Sequence, residues 1–184
     1  MPFFEGEEKF YVEPFQAWRG WKVSDQGNLV AVSHSTPWPA GGPMHATCQG
    51  GGGHKAPDPD CSCGLYCLKD PAHVTRHVNP RIGGREVIGQ VSIWGRVIVA
   101  TEGYRAEYAK INHLFVPSYD SYDWDIAKWM YDIYDPPQND YRRSRISQMC
   151  NRLKELYEVP VHTYSRISDL PSLVNQWGSE RASH

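Results

Sequence analysis

Val87-Ile-Gly-Gln-Val-Ser-Ile-Trp-Gly-Arg-Val-Ile-Val99 is the strongest β signal in the chain. Its β-branched residues suit a pleated, buried surface. Gly89 and Gly95 interrupt the run, which predicts a bend, a bulge or a close approach of backbone. Glu102-Gly103 reads as a turn. Tyr104-Arg-Ala-Glu-Tyr-Ala109 then alternates Tyr and Ala with Arg and Glu, the period of a half-buried strand. Ala, Glu, Arg and Lys also suit a helix, and the alternation decides for the strand. Upstream, Trp18-Arg-Gly-Trp-Lys-Val23, the turn cluster Asp25-Gln-Gly-Asn28 and the run Leu29-Val-Ala-Val32 predict a hairpin of short strands.

Between these β segments, His34 to Asp60 reads as irregular. Pro and Gly break the chain repeatedly in Thr36-Pro-Trp-Pro-Ala-Gly-Gly-Pro43, and four glycines run from Gly50 to Gly53. Unstructured loops of this length are uncommon inside compact domains. A metal clip would close the loop and remove chain entropy. The donors are at hand: Cys48, His54, Cys61 and Cys63 lie in one stretch, and tetrahedral structural zinc takes three thiolates and one imidazole. Cys61 and Cys63 flank one residue, so they can ligate together only from a turn. Asp58 and Asp60 are candidates to support the imidazole.

Cys67 is a further candidate ligand. Gly64-Leu-Tyr-Cys-Leu-Lys69 is expected to begin a short helix that Asp70-Pro71 ends or bends. In a helix Cys67 would share a face with Cys63, and an all-thiolate site with Cys67 replacing His54 stays open. Residues 71–85 read as loop. His73 and His77 are spaced for one helix face, but Pro71 and Pro80 leave little room for a helix.

The composition changes after Pro117. Asp120 to Tyr134 places Ile126, Trp129, Met130 and Ile133 at helical spacing, with Ser121 or Asp123 as cap and Asp135-Pro-Pro137 as stop. Gln138 to Tyr157 predicts a second helix, apolar at Ile146, Met149, Cys150, Leu153 and Leu156. Val159-Pro-Val breaks the chain again, and Ser168 to Trp177 predicts a short last helix. The expected fold is α+β: a small antiparallel sheet with a zinc-clipped loop, followed by two or three C-terminal helices. Residues 1–117 form the β-rich zinc domain, 118–178 a helical extension packed on it, and 179–184 a flexible tail.

A net charge of −2 argues against a general nucleic-acid surface. Five cysteines are an odd number, four of them clustered, which favours metal over a secreted disulfide framework. No run is long and apolar enough for a bilayer span, and the acidic N-terminus lacks a signal-peptide core, so the cytoplasm is the expected compartment.

Other constellations have ordinary readings. Arg105 and Glu107 would share a strand face as a surface salt bridge. Trp94 would be core rather than a ligand platform. Trp18, Trp21 and Trp38 would cover the metal loop rather than form a partner patch. Arg142, Arg143 and Arg145 could contact phosphate, although most charged helix faces are only solvated.

Several motifs together carry a resemblance. They are Pro37-Trp-Pro, Ala46-x-Cys48, His54-x-Ala56-Pro57, Cys61-x-Cys63-Gly-Leu-Tyr66, Gly89-x-Val-x-x-Trp94-Gly-Arg-Val97 and Gly103-Tyr-Arg-Ala-Glu-Tyr-Ala109. The chain from about Trp18 to Val116, and again at Leu156-Tyr-x-Val-Pro-Val161, resembles an uncharacterised zinc-binding family of actinobacteria and the phages that infect them. The resemblance implies that the ligands are Cys48, His54, Cys61 and Cys63. Cys67 stands where that family carries a small residue, which argues against it as a ligand. No activity transfers with the resemblance.

The expected function is a non-enzymatic, zinc-stabilised protein-interaction module, phage-encoded and aimed at a bacterial host protein in the host cytoplasm. The alternatives are nucleic-acid binding through the basic helix near Arg142, and a zinc-dependent hydrolase or deaminase, which needs an open ligand position.

Overall fold

The computed structural model describes residues 6–33, 36–51, 53–78, 85–118 and 138–181, with side chains of the last span described from 143 to 175. The helix expected over Asp120 to Tyr134 lies outside them.

The fold is α+β. In chain order come strands β1 (Glu7–Val23), β2 (Leu29–Ala31), β3 (Met44–His45) and β4 (Leu65–Leu68), then a one-turn helix α1 (Pro71–Val74). Strands β5 (Glu86–Val99) and β6 (Gly103–Pro117) follow, then helix α2 (Gln138–Tyr157), strand β7 (Val161–Tyr164), a 3-10 turn (Ile167–Asp169) and helix α3 (Leu170–Arg181).

The β5–β6 hairpin is the frame. Its tip closes where the Ala100 N–H donates to the Gly103 carbonyl at 2.9 Å. β1 lies antiparallel on β5 from Glu7↔Val99 to Lys22↔Glu86. β1 is thus one 17-residue strand, where short strands were expected. Its register shifts between Tyr11 and Phe15, a segment that contains Pro14, which has no ladder donor. β4 then joins β6 (Leu65↔Ala106 to Leu68↔Gly103) and β1 (Trp18↔Leu68). The path β1–β5–β6–β4 therefore closes on itself, removing edges as barrels do. β2 folds back on β1 as the expected hairpin, β3 adds to β6, and β7 pairs with β6 in parallel from Leu114↔Val161. The sheet is therefore mixed, and β7 occupies a segment read as a break at Val159-Pro160.

Both faces of β5 and β6 are covered where Ile88 pairs with Phe115, and the sequence there is apolar on both sides. On β5, Val87 and Val91 face one core and Ile88 the other; on β6, Leu114 and Val116 oppose Phe115 in the same way. The larger core also takes Trp21, Trp38, Leu29 and, from α2, Ile146, Cys150 and Leu153. These are three of the five apolar positions expected of that helix, and the other two, Met149 and Leu156, pack partly buried against the same core. Tyr157 at its end accepts a hydrogen bond on its hydroxyl from the Leu29 N–H at 2.7 Å, fixing α2 to β2. The second core gathers Trp18, Leu68, Val74, Tyr164 and Leu170.

Both interrupting glycines have structural causes. A Cβ at Gly89 would lie 2.7 Å from the His113 carbonyl oxygen and 2.7 Å from the Trp21 ring. Gly95 has φ of +80° at the bulge between Trp94 and Val97, a backbone region where L side chains are strained.

Two local expectations are corrected. Residues 65–68 form strand β4, not a helix, because their groups complete the β6 ladder. Asp70-Pro71 begins α1 rather than ending an element: the Asp70 carboxylate accepts from the Ala72 N–H at 2.8 Å and Pro71 occupies the first helical turn. Among the described residues no helix is long and apolar enough to cross a membrane.

Candidate metal centre

Cys48 leaves β3 after Ala46, whose N–H donates to the Glu107 carbonyl at 2.8 Å. Cys61 and Cys63 sit in the bends just before β4. The loop between them returns through buried Ala56 and Pro57, joined by a cis peptide. A turn then forms around Asp58. Its carboxylate accepts from the Asp60 N–H at 2.9 Å, and its carbonyl accepts from the Cys61 N–H at 3.2 Å. Gly64 follows with φ of +126°. A side chain there would meet Pro57 Cβ at 3.0 Å and Arg105 Cβ at 3.1 Å, so Cys63 requires glycine after it.

The result is a convergence of donors. Ligand atoms of Cys48, His54, Cys61 and Cys63 all lie within 4.8 Å of one another and could hold a metal ion. Cys48 Sγ is 3.9 Å from Cys61 Sγ, and Cys63 Sγ is 3.4 Å from His54 Nε2. All four residues are half-buried. The Cys63 thiol is pushed up to about 11, by burial first and then by the neighbouring Cys61 and Cys48 sulfurs. A cation at the centre of the group would reverse that shift. Among the described residues neither Asp58 nor Asp60 hydrogen-bonds the His54 ring; Asp58 holds the turn instead.

Cys67 is elsewhere. On a strand it turns away from the loop, is buried, and meets the Arg19 side chain. Burial pushes its thiol up to about 11.

Arg105 is the residue whose role the sequence reading missed. It is 4% exposed, not a surface ion pair. Its Nη1 donates to the carbonyls of Asp58 at 3.2 Å, of Cys63 at 3.0 Å and of Cys61. One guanidinium on β6 thus gathers the backbone of the ligand loop. Tyr66, opposite Arg105 in the β4–β6 ladder, donates its hydroxyl to the Ser62 carbonyl. The signal was present as paired motifs, Cys-x-Cys-Gly-x-Tyr and Tyr-Arg-Ala-Glu-Tyr, but nothing in residue type reveals a contact to carbonyls. Glu107 goes its own way, accepting from the Arg96 N–H at 3.0 Å and lying 3.7 Å from His45 Nε2.

The tryptophans divide. Trp21 and Trp38 meet edge to face at 5.2 Å in the larger core, and Trp18 packs on Phe115 at 5.8 Å in the second. Trp94 is only half-buried, contrary to the core reading. It stacks on Tyr108 at 5.5 Å, and Tyr108 stacks on His45 at 4.7 Å. Arg143 and Arg145 are exposed on α2, remote in sequence from the donors, and the Arg142 side chain lies outside those described.

Comparison of the chain with protein-family models, curated proteins and solved structures found no match.

Proposed function

We propose that Cys48, His54, Cys61 and Cys63 hold one structural zinc ion, and that the chain is a non-enzymatic protein that acts by binding another protein. The spacing of the donors carries the first half. A tetrahedron with zinc–sulfur bonds of about 2.3 Å and zinc–nitrogen bonds of about 2.0–2.1 Å has edges of about 3.8 Å between sulfurs and about 3.6 Å between sulfur and nitrogen. The pairs at 3.9 and 3.4 Å match those edges. Four protein donors complete the shell and leave no position for a substrate or a reactive water. Bound there, the ion supplies a cross-link whose binding energy is folding energy.

The second half rests on exposed Phe10 and Val12 of β1, 73% and 79% accessible, the apolar contact surface of this reading. The resemblance to a family shared by actinobacteria and their phages makes the partner a bacterial host protein, met in the host cytoplasm.

One zinc per chain with a sulfur-and-nitrogen shell is the expected composition, and chelation or Cys61→Ser should lower the melting temperature sharply. Unchanged melting after complete metal removal, or an oxygen ligand in the shell, overturns the structural role. A host protein retained by the chain in a pull-down from bacterial lysate should be lost with Phe10→Ser plus Val12→Ser while zinc content stays constant. Capture unaffected by that pair refutes the assigned surface.

A further inference from the structure

A cavity of about 630 Å³ opens between the second core and the ligand loop. Trp18, Leu68 and Val74 form its apolar wall, and Arg19 and Arg105 line it beside Tyr66. We propose that this cavity binds a small molecule with a flat apolar body and a single anionic group, a carboxylate or sulfonate.

The volume falls in the range of small-molecule pockets, and the lining has their usual character, apolar with few convergent polar groups. The charge pattern narrows the ligand. Arg105 is buried and Arg19 half-buried, and a guanidinium withdrawn from water is costly unless it is paired. Among the described residues neither Arg19 nor Arg105 has a carboxylate within ion-pair distance. Arg19 Nη1 donates to the Tyr66 carbonyl at 2.5 Å, and its guanidinium lies over the Trp38 ring at 4.9 Å. Among the described residues Arg105 donates to carbonyls alone, and the Nε of Arg19 and of Arg105 is buried without a hydrogen-bond partner. Burial pulls the Arg19 pKa down, and the Cys67 sulfur offsets only part of that.

One negative charge fits better than two. A metal centre of three thiolates and an imidazole carries a net charge of −1 and lies beside Arg105; this count alone rests on the zinc reading. It leaves Arg19, whose side-chain partner Cys67 is a thiol kept protonated by burial, without an ionised counter-charge. Asp60, also on the lining, would repel a dianion. The chain's net charge of −2 gives it no general attraction for anions, so selective uptake of an anion must be local.

The test uses the zinc-loaded full chain and two fluorescent probes with the same rings. 1-Anilinonaphthalene-8-sulfonate carries one negative charge; N-phenyl-1-naphthylamine carries none. The expected result is one saturable site, about tenfold tighter for the anionic probe, with 1-naphthoate competing. Ser33 is exposed on the rim. Ser33→Glu should weaken the anionic probe about tenfold and spare the neutral one, whereas Ser33→Gln changes neither. Arg19→Met should remove the preference between probes. Equal affinity for both probes, no saturable site, or a harmless Ser33→Glu overturns the proposal. A zinc-loaded chain without a probe site sinks this inference alone. A metal-free chain that still binds the anionic probe sinks the zinc reading alone.

Discussion

Replacing Arg105 with Met should loosen the ligand loop from the sheet. The side chains are similar in length, so the change removes charge and donors more than volume. Arg105 Nη1 serves three carbonyl oxygens, those of Asp58, Cys61 and Cys63. A hydrogen bond to a charged group contributes about 1.5–3 kcal/mol. One nitrogen has two protons, so the three contacts amount to roughly two full bonds, about 3–6 kcal/mol before compensation. Removing a buried charge recovers part of that, because its desolvation is no longer required. A net loss of about 3 kcal/mol remains, which for a chain of this length is a fall in Tm of about 6–12 °C. Metal affinity should fall about 10–100-fold, the usual effect of removing a group that orients ligands. Calorimetry at saturating zinc reads the first quantity and competition with a chelator the second. Arg105→Lys should recover part of the loss, since an ammonium keeps the charge but not the planar fork. In a Cys61→Ser background the same change should cost less, because the loop is already released. A fall in Tm below about 3 °C, about 1 kcal/mol here, with unchanged zinc affinity would refute the clamp.

Two further outcomes follow from one half-buried and one buried group. His162 Nε2 lies 3.2 Å from His113 Nδ1, and its pKa is pushed down to about 4 by burial first, then by His113 and Lys154. A folded pKa below the unfolded value of about 6.5 means that the unfolded chain binds more protons between the two. Stability should therefore be fully present above pH 6.5 and decline as pH falls toward 4. The decline is at most about 3 kcal/mol, and about 1–2 kcal/mol once screening of this half-buried group is allowed for. Urea midpoints of the native chain and His162→Gln should diverge across that window, and parallel curves would exclude the histidine pair as the source. Cys67→Ala should keep one metal per chain, because Cys67 lies outside the donor cluster; loss of metal in that variant would put Cys67 in the shell.

The frame of the fold was legible where a local pattern matches a global role. Val87, Val91, Ile93 and Val97 keep one face of this run in the larger core, Ile88 reaches the second core while Ser92, Trp94 and Arg96 stay half-buried, and the two glycines mark a close approach and a bulge. The four donors were legible by type, since thiolates and imidazole close together have few other uses. Leu65-Tyr-Cys-Leu68 was not, because four residues carry no period that separates strand from helix. Its state is set by the β6 edge that it completes. β7 was hidden for the same reason behind Pro160, and its parallel partner is distant in sequence. Arg105 was misread because the backbone oxygens that hold it leave no trace in residue identity.

The closure of β1 against β5 also shapes how the chain is made. β1 is synthesised before its chief partner, which begins only at Glu86, after β2, the ligand loop and α1. Contacts of such long range are slow to form. The β5–β6 hairpin, with its short tip, can assemble as soon as it leaves the ribosome, and β1 must then dock onto a template already built. Until that moment Trp18 and Trp21 have no core to enter, so the newborn chain depends on whatever shields β1.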